Sequence, residues 1–249
     1  MAETIAKELG VEVSEYDFTL PKARESFAKL EEGDLVVFGM PTYAGRLPNL
    51  MLPYLDTIAG NGALAVPFVT YGNRNFDNSL IELRNILEAK NFHTIAGAAC
   101  SCEHSFSYVL GAGRPDSDDI AEVTDFAKKV AEKAQNTAKF DTPVEVAGDA
   151  EAGYFKPQDR HGNPINILKV TPKTNDKCVK CGLCAKLCPM GAINPENPSE
   201  IIGKCVKCNA CFKHCPMEAK YFDDEGYLLH KTELEFMYAG RRAKNEFFI

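Results

Sequence analysis

The chain has 249 residues, 45% of them hydrophobic and 25% charged, a formal charge of −7, and ten cysteines. That length and apolar share can bury a sizeable core and leave room for a small second domain, while the negative balance argues against broad nucleic-acid binding, which needs a basic footprint to displace phosphate counterions. No apolar run is long enough to span a bilayer and no signal peptide opens the sequence, so the expected compartment is the cytoplasm, where clustered cysteines serve as metal or redox ligands rather than disulfides.

In chain order, AETIAKELG sets Ala2, Ile5, Ala6 and Leu9 on one helical stripe, with Gly10 as a natural stop. VEVSEY, from Val11 to Tyr16, reads as a strand. DLVVFGM (Asp34 to Met40), ALAVPFVT (Ala63 to Thr70) and TIAGAACS (Thr94 to Ser101) are short apolar runs suited to parallel strands covered on both faces. Leu80, Leu83 and Leu87 lie on one helical stripe, and Val123, Phe126, Ala127 and Val130 on another whose PDSDD opening favours a helix N-terminus. The pattern predicts a doubly wound α/β domain over residues 1–137 with a parallel sheet. Residues 138–172, rich in Pro, Gly and Asp, read as a linker draped over a domain. A small domain over 173–222 and a tail over 223–249 follow. Tyr227, Leu228, Phe236, Phe247 and Phe248 are the tail residues expected to pack. Charge separates the halves: residues 1–137 carry 12 basic and 20 acidic side chains, whereas 173–222 carry 8 and 4.

Ligands of open α/β sheets bind beyond the carboxyl ends of the strands. The segments there are PTYAGRLP (Pro41 to Pro48), YGNRNFDNS (Tyr71 to Ser79) and CEHSFS (Cys102 to Ser107). They are predicted to share one rim carrying flat aromatics, glycines, two guanidinium groups and hydrogen-bonding side chains, a set suited to a planar anionic ligand. Taken singly, each loop also reads as ordinary turn chemistry; His104 reads as a satisfied polar group, and Cys100 and Cys102 as packing or rim thiols on one face.

At these residues the chain resembles flavodoxins. More closely, PTYAGRLP, YGNRNFDNSL and EHSF followed by GAGRPD resemble the flavodoxin/ferredoxin fusion proteins of anaerobic bacteria and archaea, over nearly the whole chain. The resemblance implies FMN held by Pro41, Thr42, Tyr43, Ala44, Gly45, Arg46, Tyr71, Gly72, Asn73, Arg74, Phe76 and Asp77. It implies a Gly45 peptide that turns toward the reduced ring, and, with no tryptophan present, stacking on Tyr43, Tyr71 or Phe76. The central strand and phosphate loop that open a flavodoxin are not found ahead of AETIAKELG. The expectation is therefore a flavodoxin-like domain lacking both, with weak or lost FMN binding: either the chain's true start lies upstream or the domain is degenerate and has abandoned FMN.

CVKCGLCAKLCP (Cys178 to Pro189) and CVKCNACFKHCP (Cys205 to Pro216) hold eight of the ten cysteines and repeat after 27 residues. C-x2-C-x2-C-x3-C-P is an iron–sulfur pattern in which the first three thiolates hold one cubane and the fourth serves the other. The predicted sets are Cys178, Cys181, Cys184 and Cys215 for one 4Fe-4S cluster, and Cys205, Cys208, Cys211 and Cys188 for the second. Zinc ribbons also use CxxC pairs, but two pairs per metal rather than this triplet-plus-one, duplicated. The segment resembles a bacterial two-cluster ferredoxin, of small α+β fold. Its lysines (Lys177, Lys180, Lys186, Lys204, Lys207, Lys213) read either as offsets to cluster charge facing the acidic domain or as solvated groups. The function expected is electron transfer, single electrons passing through two clusters to or from an FMN site, with redox proteins as partners. A flavin-dependent reductase of a small substrate, and a ferredoxin with a non-flavin docking domain, are the alternatives.

Overall fold

The computed structural model describes residues 1–136 and 142–249; the boundary expected at 137/138 falls outside the described residues. The larger sheet is built on β1 (Leu35–Pro41), β2 (Leu64–Tyr71) and β4 (Gly97–Ser101), with the two-residue β3 (His93–Thr94) on the same line as β4. β1 and β2 run parallel with Leu35 opposite Leu64, and β2 and β4 parallel with Phe68 opposite Ala98. The predicted third run is thus interrupted at Ile95 and Ala96, and only its second part pairs along the carboxyl end of β2.

Alternation sends successive side chains to opposite faces, and both faces are covered. On one face Leu80, Leu83 and Leu87 of α3 (Ser79–Ala89) pack with Ala65, Val69 and the short α2 (Leu52–Leu55). On the other, α1 (Ala2–Leu9) and α4 (Ser117–Asn136) bring Ile5, Phe126, Ala127 and Val130 against Val66 and Ala98. Local chemistry sets the helix ends. Gly10 closes α1 at φ 70°, in the left-handed region, and the Asp116 carboxylate accepts from the Asp118 and Asp119 amides at the start of α4.

Two expectations change. VEVSEY forms no strand: Val11 and Val13 are exposed and no ladder pairs the segment, because alternation alone does not fix a strand. Among the described residues β1 pairs only with β2. The tail is more than packing residues. Asp224 caps α7 (Glu225–Tyr238) by accepting from the Tyr227 amide at 2.9 Å, and β7 (Glu246–Phe248) then joins the large sheet antiparallel to β4, with Phe247 opposite Ala98. Phe247 and Phe248 therefore flank the two core clusters. Tyr227 is buried, whereas Leu228 and Phe236 are exposed, the latter beneath the Arg160 guanidinium.

The cysteine-rich segment folds as a small α+β unit. β5 (Lys173–Thr174) and β6 (Lys220–Tyr221) form an antiparallel pair, and the one-turn helices α5 (Leu183–Lys186) and α6 (Ala210–Lys213) carry the ends of the two motifs.

Candidate metal centres

The 27-residue repeat is a repeat of backbone as well as of sequence. Lys180 and Lys207 have φ of 54° and 58°, Gly182 and Asn209 of 74° and 60°, and Gly191 and Glu218 of 58° and 49°. Left-handed backbone is costly for residues with a β-carbon, so three matched pairs of such turns mean that both loops curl the same way. The curl turns thiols inward.

Two cavities result. One is lined by Cys178, Cys181, Cys184 and Cys215, the other by Cys205, Cys208, Cys211 and Cys188. Around the second stand Pro172, Ile193, Ile201 and Phe222; around the first, Pro198, Met217, Ala219 and Lys220. Backbone amides point at the sulfurs: Ala192 donates to Cys188 Sγ at 3.2 Å, Ala219 to Cys215 Sγ at 3.2 Å, and Lys207 to Cys205 Sγ at 3.4 Å. The first two are again a pair 27 residues apart. The thiols surround spaces rather than points, and among the described residues no three His, Cys, Asp or Glu side chains converge as a single ion requires. Four thiols around an apolar void, with amides aimed at sulfur, fit a cubane cluster better than a tetrahedral ion. Residues 177–220 match the 4Fe-4S dicluster domain family. The chain carries a ferredoxin-like iron–sulfur domain. No curated protein matches the chain.

The rim lies beside the second cavity. The Tyr43 hydroxyl is buried next to Cys208 and Cys205, and that burial, with the two thiols adding to it, raises its phenol well above the ordinary range. Phe222, which lines the cavity, stacks on Tyr227 at 4.3 Å, and Tyr227 lies 4.8 Å from Phe106 of the third loop. Asn209 donates to the Tyr227 hydroxyl at 3.0 Å. Lys213, from the second motif, donates to the Glu103 carboxylate, to His104 O at 2.8 Å and to Ser107 O at 2.7 Å. Lys207 reaches Leu168 O, while Lys177, Lys180, Lys186 and Lys204 are exposed. His104 and His230 are packed into this region and held neutral, both pushed down to about 4: His104 by burial first and then by His230, Lys213 and Arg74, and His230 by burial and then Arg74.

The other rim residues come together, but they are spent on the chain itself. Tyr43 and Arg46 exchange backbone bonds across a tight turn whose centre, Ala44 and Gly45, has φ of 49° and 76°. Gly45 O accepts from the Asn78 amide at 2.8 Å, and Ala44 O from Phe155 at 2.8 Å. Arg46 pairs with Glu82 at 2.8 Å and donates to Ala152 O, under the Tyr154 ring. Arg74 pairs with Asp77 and lies 4.2 Å from the Phe155 ring centroid. Thr42 Oγ1 bonds Ser79 Oγ at 2.6 Å. Pro41 ends β1, and Gly72 sits against His104, where a β-carbon would come within 2.6 Å. Tyr71 and Phe76 are buried in the core, the Tyr71 hydroxyl donating to Lys244 O. Asn73, 1% exposed, donates to Tyr238 O and Arg241 O at 3.0 Å and accepts from the Ala243 amide at 3.0 Å.

FMN does not fit this rim as folded. The guanidinium groups expected to meet an anionic ligand face residues 152–155, two of the three candidate stacking rings lie in the core, and a turn of the Gly45 peptide would break its bond to Asn78. Cys100 is buried and Cys102 half-buried, both burial-raised thiols outside the two cavities.

Proposed function

We propose that the chain is an electron-transfer protein that holds two 4Fe-4S clusters, one in each thiol-lined cavity, and passes single electrons to redox partner proteins. What carries this reading is the crossed lining: each cavity takes three cysteines from one motif and the fourth from the other, the sharing that the C-x2-C-x2-C-x3-C-P pattern calls for. Each cluster, when bound, would supply one-electron chemistry. Cys178, Cys181, Cys184 and Cys215 would hold the first, and Cys205, Cys208, Cys211 and Cys188 the second. The amides of Ala192, Ala219 and Lys207 donate to thiolate and stabilise its charge.

The α/β unit serves in this reading as a platform. It covers part of the second motif, through Lys213, Tyr43 and the contact of Tyr108 with Phe212, and touches only the end of the first, where Arg24 donates to Pro189 O, leaving Val179 and Cys181 exposed. A partner would therefore exchange electrons at the first cavity. The flavin reading requires residues 149–155 to leave the rim. Anaerobic iron and acid-labile sulfide analysis, with flavin titration of the same sample, tests the proposal. About eight iron atoms and eight sulfides per chain, with no stoichiometric FMN, are expected. Stoichiometric zinc after iron-sufficient expression would overturn the cluster reading, and tight FMN binding would restore the flavin site.

A further inference from the structure

The two cavities are near copies, and one exchange between them alters charge. Stepping 27 residues from one cavity lining to the other pairs Met190 with Met217, Ala192 with Ala219, and Ile193 with Lys220. Lys220 is 2% exposed, and its ammonium donates to Thr174 Oγ1 at 2.8 Å and to Pro198 O. Both acceptors are neutral. Among the described residues it forms no ion pair with a carboxylate, and it is the one charged side chain lining either cavity. A buried cation without a counter-ion is costly unless an anion lies beside it. At this place the anion available is the thiolate-ligated cluster itself.

Resting on the proposed function, we infer that Lys220 makes the two clusters electrochemically unequal, drawing the electron to the cavity of Cys178, Cys181, Cys184 and Cys215. One-electron reduction adds a negative charge to a cluster, and a fixed buried cation favours the more negative state. Burial leaves that attraction little screened. Ile193 offers the second cavity nothing comparable. Lys207 also stands beside the second cavity, its ammonium reaching Leu168 O and Cys205 O, but it is only half-buried and so more screened than Lys220, while its repeat counterpart Lys180 and the acids Asp176 and Glu218 are exposed. The first cavity is therefore the electron's resting place, and it is the one whose motif faces solvent.

The test is a reductive titration of the full chain with dithionite, followed by low-temperature electron paramagnetic resonance. Contact-shifted cysteine β-proton resonances in the half-reduced sample assign the electron to one cluster. Two separate one-electron waves are expected, the first filling the Cys178 cavity. In Lys220→Met the reduced-to-oxidised ratio of that cluster, read at a fixed applied potential, should fall about tenfold or more, ~59 mV for a one-electron couple, while Lys220→Arg keeps the separation. A structural role confined to the bonds with Thr174 and Pro198 would lower iron content without moving the potential of the clusters that remain. Unseparated waves in the unmodified protein, or a first electron on the Cys205 cavity, would overturn the inference whether or not the variants assemble. Absence of iron and sulfide would instead remove the proposed function.

Discussion

The cysteine repeats and the rim of the α/β unit contrast in how sequence becomes site. In the repeats eight thiols sit within 38 residues, and short left-handed turns bring them around two cavities with little help from elsewhere. At the rim the residues expected to face a ligand are bonded instead to segments far away in sequence: Arg46 to Ala152, Asn73 to Tyr238 and Arg241, and Tyr71 to Lys244. A ligand set written into one loop survives whatever the rest of the chain does. A binding surface made of several loops remains a surface only if nothing else in the molecule occupies it.

Four experiments bear on this contrast. Removing one thiol should have the largest effect. Cys188→Ala is expected to lose about half the iron, and the cluster lost should be the one lined by Cys205, Cys208 and Cys211. Loss confined to the Cys178 cavity would show that the motifs do not cross. At the rim, Asn73→Ala removes three part-buried hydrogen bonds, to Tyr238 O and Arg241 O and from the Ala243 amide, and should destabilise the chain by roughly 3 kcal/mol in urea unfolding. A change under ~0.5 kcal/mol would mean that the tail is not held there.

The third experiment uses pH. His104 and His230 are both held near 4, below the ordinary value of about 6.5. The unfolded chain therefore binds more protons between those limits, and stability should fall as pH drops from about 6.5 toward 4, by up to roughly 3 kcal/mol for each histidine. His230→Leu should flatten this slope, and comparing the two proteins removes the acid sensitivity of the clusters. An equal slope in both would remove His230 from the account. The smallest effect is expected for Lys213→Ala, about 1 kcal/mol and weaker in high salt, since its ion pair with Glu103 is partly exposed while its two carbonyl acceptors can turn to water. A loss of several kcal/mol would make this lysine the main tie between the two units.

Where the sequence was readable, local pattern decided the structure. The runs at Asp34, Ala63 and Thr94 became β1, β2 and the pair β3–β4 because uninterrupted apolar character suits a strand covered on both faces. The stripes of α3 and α4 fell against the sheet for the same reason. VEVSEY misled because alternation alone does not bring a segment onto a sheet edge; the outer edge of β1 pairs with no strand among the described residues. β7 was invisible: EFF is too short to carry a period, and its partner strand lies some 150 residues earlier. The crowding of the rim was equally hidden, since nothing in PTYAGRLP or YGNRNFDNS signals that Phe155 and Ala243 will cover it. Lys220 could have been found by laying CPMGAI over CPMEAK. The pattern of lysines between the cysteines does not single it out, because Lys220 lies beyond the last cysteine of its motif.

The strand β7 and the bonds around Asn73 belong to residues that follow the cysteine repeats, while residues 142–172, which lead into the repeats, are fastened to Thr94 and Ala44. The metal-binding segment is thus moored on both flanks to the same sheet. A carrier arm that swings between donor and acceptor needs at least one loose hinge. Among the described residues neither flank supplies one, so in the proposed function distance is covered by the electron and not by the domain.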